Sequence, residues 1–174
     1  AMAGTPRIEI RSSPHIHDPV SVDVIMRNVV YALVPVCVFA VYLFGLSAAA
    51  LIVTVLGACL LTEHLFNRFA QKPSSLGDFS AVITGLLLAR TLPPGFPLWM
   101  GATAGVIAIA LGKVMFGGLG QNVFNPALVG RAFAQAAFPV AITSWSPALA
   151  PGRFDSLLPS TLTPPFMLPV AANA

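Results

Sequence analysis

The sequence predicts an all-α membrane protein that crosses the bilayer several times. Three observations predict it. Of the 174 residues, 56% are hydrophobic and only 9% charged, against roughly 25% charged in an average soluble domain. No charged residue occurs from Asn28 through Thr62. Further apolar pieces follow, each bounded or cut by Pro and Gly, the residues that end helices.

Residues 1–24 form a polar, Pro-containing arm ahead of a transmembrane domain over 25–144. The charge-free run is too long for one span: as helix it would measure ~50 Å, against a hydrocarbon core of ~30 Å. It divides into spans at 26–44 and 48–66, with a tight turn at Gly45-Leu46-Ser47. A polar loop with Arg68 and Lys72 follows. The third piece, 79–92, is charge-free only from Phe79 to Ala89, ~16 Å of helix, which does not cross a bilayer alone. Pro93-Pro94-Gly95-Phe96-Pro97 ends it. The fourth span is 98–116, and the fifth opens at Pro126 and runs over 126–143, with Pro139 set to kink or end it. Residues 145–174 hold six Pro and no periodicity, and read as an extended tail outside the membrane. Short, Gly/Pro-interrupted hydrophobic pieces point to broken helices around a midplane site, although a tilted or partly interfacial helix has the same length.

Lys and Arg set the expected topology. With a cytoplasmic N-terminus and five crossings, Arg7, Arg11, Arg27, Arg68, Lys72 and Lys113 fall inside, Arg90 and Arg153 outside, and Arg131 within the fifth span. The charged residues ahead of the first apolar run do not form a signal-peptide pattern. No basic run suits nucleic acid. Cys37 and Cys59 sit inside predicted spans, far from any paired-cysteine motif, and read as packing residues.

The segment FGGLGQNVFNPALVGRAF, from Phe116 to Phe133, is the most polar interruption of the apolar chain. Backbone and amides at such a place need protein, ligand or water to satisfy them. Asn125-Pro126 has the form of a helix start, with Asn as cap and Pro at the first helical position. Gly117, Gly118 and Gly120 permit close backbone approach. A helix N-terminus offers N–H donors, and Asn122 and Asn125 add amides. Together these suit the edge of a polar heteroaromatic ring, such as a flavin. A loop with a capped helix behind it has the same pattern. Arg131, about one and a half turns into the fifth span, is a functional candidate by its depth. It equally suits snorkelling to the interface or holding the carbonyls of the glycine loop.

Other polar residues have simpler readings. His15 and His17 share a face of an extended segment, but no Cys or third His completes a metal shell, so they read as a contact with a partner subunit. Glu63 and His64 close the second span and read as interfacial. Asp78 suits the cap of the third piece, and Lys113 is expected to face the headgroups.

Four blocks, SSPHIH at 12–17, GDFSAVITGLLLARTLPPGFPLW at 77–99, LGKVMFGGLGQNVFNPALVGRAF at 111–133 and FPVAITSW at 138–145, closely resemble the RnfD family, membrane subunits of ion-translocating ferredoxin:NAD oxidoreductases. NqrB-like subunits of the sodium-pumping NADH:quinone reductase are similar over the same core. The SPHIH arm, and Gln121 where NqrB-like proteins tend to carry Arg, favour the RnfD side. The resemblance implies a fold related to urea and ammonium channels, with two inverted repeats of about five helices, this chain being the first. It implies an FMN joined through a phosphoester to a Thr in a Ser/Thr-Gly-Ala-Thr motif after the fifth helix, on the outer side. It also implies a riboflavin near the two Asn of G-x-N-x-x-N-P, here Asn122 and Asn125, with the glycines in a region implicated in quinone or inhibitor binding. The chain departs from the family at one point. Gly101-Ala102-Thr103 follows Met100 inside the fourth span, and Thr161 and Thr163 lack Gly-Ala, so the covalent FMN acceptor is expected just after Ala174, in a chain that is truncated or split.

The resemblance implies a subunit of a translocase, not active alone, in the bacterial inner membrane with its N-terminus inside. It would carry electrons through flavin, couple them to Na⁺ or H⁺ movement, and have Rnf subunits A, B, C, E and G and membrane lipid as partners. The alternative, from the broken helices alone, is a channel or secondary transporter without a redox cofactor. A scaffold half-subunit is a third reading.

Overall fold

The computed structural model describes residues 21–71, 76–116 and 123–157, together with the backbone of 161–162 and 170–171. Six helices occur among them: α1 (Val22–Phe44), α2 (Leu46–Phe69), α3 (Ser80–Thr91), α4 (Leu98–Gly112), α5 (Pro126–Ala137) and α6 (Pro139–Thr143), with 3₁₀ turns at Leu76–Asp78 and Val114–Phe116. A two-residue antiparallel ladder joins β1 (Thr161–Leu162) to β2 (Val170–Ala171). Among the described residues, three helical stretches are long and apolar enough to cross a membrane: Val22–Phe44, Leu46–Phe69 and Leu98–Phe116.

α1 starts on Ser21, whose side chain accepts from the Val24 N–H, and carries Asp23 in its first turn, where a carboxylate opposes the helix dipole favourably. The turn into α2 is one residue, Gly45, rather than three. Its φ of +70° is left-handed, and a Cβ there would collide with the Arg153 carbonyl. Both constraints select glycine. The segment around Arg153 seals this turn. Leu46 N–H donates to the Arg153 carbonyl at 2.8 Å, Leu149 N–H to the Leu43 carbonyl at 2.8 Å, and Arg153 Nε to the Tyr42 carbonyl at 3.1 Å. The guanidinium also lies over the Tyr42 and Phe154 rings. The Leu149 N–H and Arg153 Nε satisfy carbonyls that the end of α1 leaves open, and the Arg153 carbonyl accepts an N–H from the start of α2.

α2 and α4 run parallel. Gly101 lies beside Leu51 and Val55, Cys59 Sγ reaches the Gly105 carbonyl, and Glu63 meets Lys113. α3 runs the other way, from Ser80 beside Lys113 past Leu56 and Cys59 at Gly85. α5 also opposes α4. Pro126 sits against Gly112, Gly130 against Ala104 and Ala108, and Phe138 against Phe96 and Trp99. The centre of the bundle is Leu51, Val55, Leu88, Met100, Ala104, Ala108 and Ile109. Small residues at these crossings let backbones approach closely, which is how helices associate in lipid.

α3 and α5 are each 12 residues, about 18 Å, short of a crossing. Both are continued by buried or bent chain. After α3, Leu92 to Phe96 are buried, and Pro94 to Leu98 share a cavity with Ser47 and Leu157. The third piece therefore passes from one end of the bundle to the other. Its irregular backbone is tolerated there because protein surrounds it. The fifth piece breaks at the expected proline: Phe138 takes φ −132° and ψ 58°, and the missing Pro139 N–H separates α5 from α6. α1 has no buried residue, and Tyr31, Val38, Phe39 and Tyr42 stay exposed, an apolar surface of the kind that faces lipid or another helix.

Candidate functional site

At the end of the bundle where α1 starts, a cavity of about 340 Å³ opens between α1, α3 and α5. That size lies within the range of small-molecule sites, roughly 300–1,000 Å³. Its walls are apolar: Met26 from α1, Ile83 and Leu87 from α3, Val123, Phe124 and Pro126 around the start of α5. Its polar edge is Ser80, Thr84, Lys113 and Asn125.

Lys113 and Glu63 are the unexpected members. Lys113 is 5% exposed and Glu63 2%, so neither is interfacial, as the sequence had implied for both. On adjacent helical positions Glu63 turns inward while His64 stays exposed. Lys113 Nζ donates to Glu63 Oε1 at 2.5 Å and to Ser80 Oγ, and lies 3.9 Å from Asp78 Oδ2. Ser80 Oγ in turn donates to Asp78 Oδ1 at 2.8 Å, as does the Ser80 N–H at 3.0 Å. A buried charge is costly unless paired and hydrogen-bonded, and this arrangement pairs it. Asp78 is neither the N-cap, which is Phe79, nor in the first turn of α3; from one residue ahead its carboxylate accepts the first N–H of the helix while also facing Lys113. Phe79 between them takes φ +56°, a strained value for a bulky residue that lets the carboxylate fold back onto Ser80.

Asn125 caps α5: its Oδ1 accepts from the Ala127 N–H at 3.0 Å. The N–H groups expected to be open at this helix start are instead consumed. Pro126 has none, Ala127 is capped, and Leu128 and Val129 both donate to the Asn125 carbonyl. Because the side-chain oxygen holds the cap, the amide nitrogen of Asn125 is the group left to serve the cavity. Gly117, Gly118, Gly120, Asn122 and Gln121 lie outside the described residues, as do His15, His17 and Lys72. Arg131 does not line the cavity. Its Nη1 donates to the Thr91 carbonyl, closing the C-terminus of α3, where a cation opposes the helix dipole. It therefore neither snorkels to the interface nor sits with Asn125.

The hydroxyls of Thr62, Thr84, Thr91, Thr103 and Thr143 each donate to a carbonyl of their own helix. Of these only Thr84 faces the cavity, and it is embedded in α3. None is presented as an attachment point for a phosphoester-linked FMN. The apolar walls and the amide and hydroxyl groups on one edge of the cavity are of the kind that suit a ring with a polar edge.

Membrane-length helices, two broken crossings and a polar-edged cavity beside a buried ion pair define a multi-pass α-helical membrane protein with a candidate site at one end of the bundle. The chain belongs to the NQR2, RnfD, RnfE family, whose model matches residues 9–166. It is 46% identical over 143 residues to the D subunit of the proton-translocating ferredoxin:NAD(+) oxidoreductase complex of Clostridium ljungdahlii, covering 82% of this chain and 43% of that protein. It is 42% identical over 157 residues to the D subunit of the ion-translocating oxidoreductase complex of Halorhodospira halophila, covering 86% and 44%. It is 45% identical over 137 residues to the D subunit of the Na(+)-translocating ferredoxin:NAD(+) oxidoreductase complex of Acetobacterium woodii, covering 79% and 43%. The chain spans less than half the length of these relatives.

Proposed function

We propose that this chain is part of the RnfD-type membrane subunit of an ion-translocating ferredoxin:NAD oxidoreductase, an oxidoreductase of the translocase class. Its five-segment unit would be one of two inverted repeats in a channel-like fold. It works in the bacterial inner membrane beside the other Rnf subunits, A, B, C, E and G, with its N-terminus in the cytoplasm. A flavin held in the membrane passes electrons between neighbouring subunits, and the complex couples that flow to Na⁺ or H⁺ movement. The flavin supplies the redox chemistry when bound; the chain supplies position, shielding and local charge. Asn125, with Asn122, would hold the polar edge of an uncharged flavin such as riboflavin, while Ile83, Leu87 and Phe124 exclude water from its faces. The covalent FMN of the family is not assigned to any described threonine of this chain.

The observation that carries this reading is the cavity, apolar-walled with amide and hydroxyl groups on one edge, in a chain of this family. Replacing Asn122 and Asn125 with Ala in the full-length subunit, within its purified complex, tests it. Non-covalent flavin is expected to fall at least about tenfold, the loss of ~1.4 kcal/mol of binding, with the complex still assembled. Unchanged flavin content would reduce both residues to loop and cap. A colourless complex that conducts a solute would favour the channel reading instead.

A further inference from the structure

We propose that Arg90 holds the phosphate group of a membrane phospholipid, seated between α1, α2 and α3 at the end of the bundle opposite Lys113. Arg90 lies in the last turn of α3. A cation there can close the helix or snorkel to water. The first role is taken, because Arg131 holds the Thr91 carbonyl. The second is not followed, because Arg90 Nη1 is buried, with no hydrogen-bond partner among the described residues. A charged donor left in that state is costly, so the guanidinium requires an acceptor from elsewhere.

Arg90 lines a cavity of about 150 Å³ with Phe44 of α1, Ala48 and Ile52 of α2, Leu92 and Trp145. It is the only charged side chain among the described lining residues. The acidic residues of the sequence do not answer it. Of the six, Asp23, Glu63 and Asp78 lie at the other end of the bundle. Glu9 and Asp18 precede Ser21, from which α1 starts at that same far end. Asp155 is exposed and does not line the cavity, and residues 158–174 contain no Asp or Glu. Apolar walls with one guanidinium match an amphiphile whose anionic group joins an apolar body. A protein carboxylate would bring backbone polar groups that these walls leave unpaired. The arginine fork suits phosphate oxygens. Trp145 is exposed at the cavity, an aromatic of the kind that sits at headgroup level. Val36, one turn back from the lining residue Ala40 on the same face of α1, is also exposed. It continues an apolar track for an acyl chain along the membrane-spanning helix.

The test uses the full-length subunit in its complex, reconstituted with a phospholipid that carries a photoreactive diazirine near the glycerol end of one acyl chain. Cross-linked peptides are quantified by mass spectrometry. Wild type is expected to label between Phe44 and Ile52 and at Trp145. Arg90→Gln is expected to lower that labelling at least about tenfold, as the loss of a charge-assisted contact implies, with labelling elsewhere on the subunit unchanged. Ala40→Leu narrows the cavity from the α1 side while keeping Arg90. It is expected to act in the same direction, and it carries the test if Arg90→Gln fails to assemble. Added inorganic phosphate is expected to leave the wild-type labelling in place. No labelling of this patch in wild type overturns the proposal and assigns the guanidinium to a protein acceptor outside the described residues. Labelling unmoved in both variants overturns it as well. Loss of labelling on adding inorganic phosphate overturns the lipid in favour of a free anion.

Discussion

Lys113 has three N–H donors and is only 5% exposed. Its partners, Glu63, Ser80 and Asp78, come from α2, the start of α3 and the turn before it. The group therefore ties three elements at one point. Breaking such a pair leaves a charge buried without compensation, whereas replacing both members by apolar residues of similar volume is close to neutral. Lys113→Met is accordingly expected to destabilise the protein by about 3–5 kcal/mol, read as a lowered thermal midpoint in detergent. Glu63→Leu added to it should restore most of the loss. A single variant as stable as wild type would mean that the pair is solvated in the membrane.

At the scale of elements, the site depends on how closely α5 lies against α4. A Cβ at Gly130 would stand 2.8 Å from the Ala104 carbonyl oxygen and 2.8 Å from Ala108 Cβ, so only glycine allows the observed contact. Gly130→Val should push α5 outward and cost about 1–3 kcal/mol through overpacking. Because Asn125 and Pro126 ride on α5, the same variant should also weaken flavin retention although residue 130 does not line the cavity. Thermal unfolding together with flavin content checks this, and a loss of neither would separate the cavity from the α4–α5 contact. The ends of α3 follow a similar logic. Asp78 holds its start through Ser80, and Arg131 holds its end through the Thr91 carbonyl. A helix of 12 residues, marginal alone, is thereby fixed at both termini.

For the whole molecule, the helix directions put two groups of residues at opposite ends. Met26, Glu63, Ser80, Lys113 and Asn125 are at one. Gly45, Ser47, Pro94 to Pro97 and the segment around Arg153 are at the other. Single cysteines at Asn67 and at Asp155, in an otherwise cysteine-free full-length subunit, should label from opposite sides of sealed membrane vesicles, Asn67 from the cytoplasmic side. Labelling of both from one side would break the five-crossing arrangement. The excess of Lys and Arg on the side of Arg68 is the sequence's share of this expectation. The pairing of Gly45 with Arg153, which closes the other end, is the structure's share.

What was legible in the sequence was local. Asn125 and Asp78 act on neighbours two residues away, so a short local pattern reveals them. Pro139 removes an N–H wherever it stands, and the breaks at Pro93–Pro97 follow from the same chemistry. Long apolar runs likewise carry their membrane-spanning length in their composition alone. The long-range partners were not legible. Lys113 finds Glu63 across 50 residues, Arg131 finds Thr91 across 40 and Arg153 finds Tyr42 across 111. Each depends on the register and direction of two packed helices, which no single segment encodes. A charged residue at the end of an apolar run looks interfacial until another helix supplies its counter-charge. The sequence by itself determined an all-α membrane chain with short, proline-bounded third and fifth apolar pieces and a polar interruption before α5. Only the tertiary structure decided that Glu63 and Lys113 are buried together at the edge of a cavity, and that Arg131 belongs to α3 instead, because burial and pairing are properties of the packed helices.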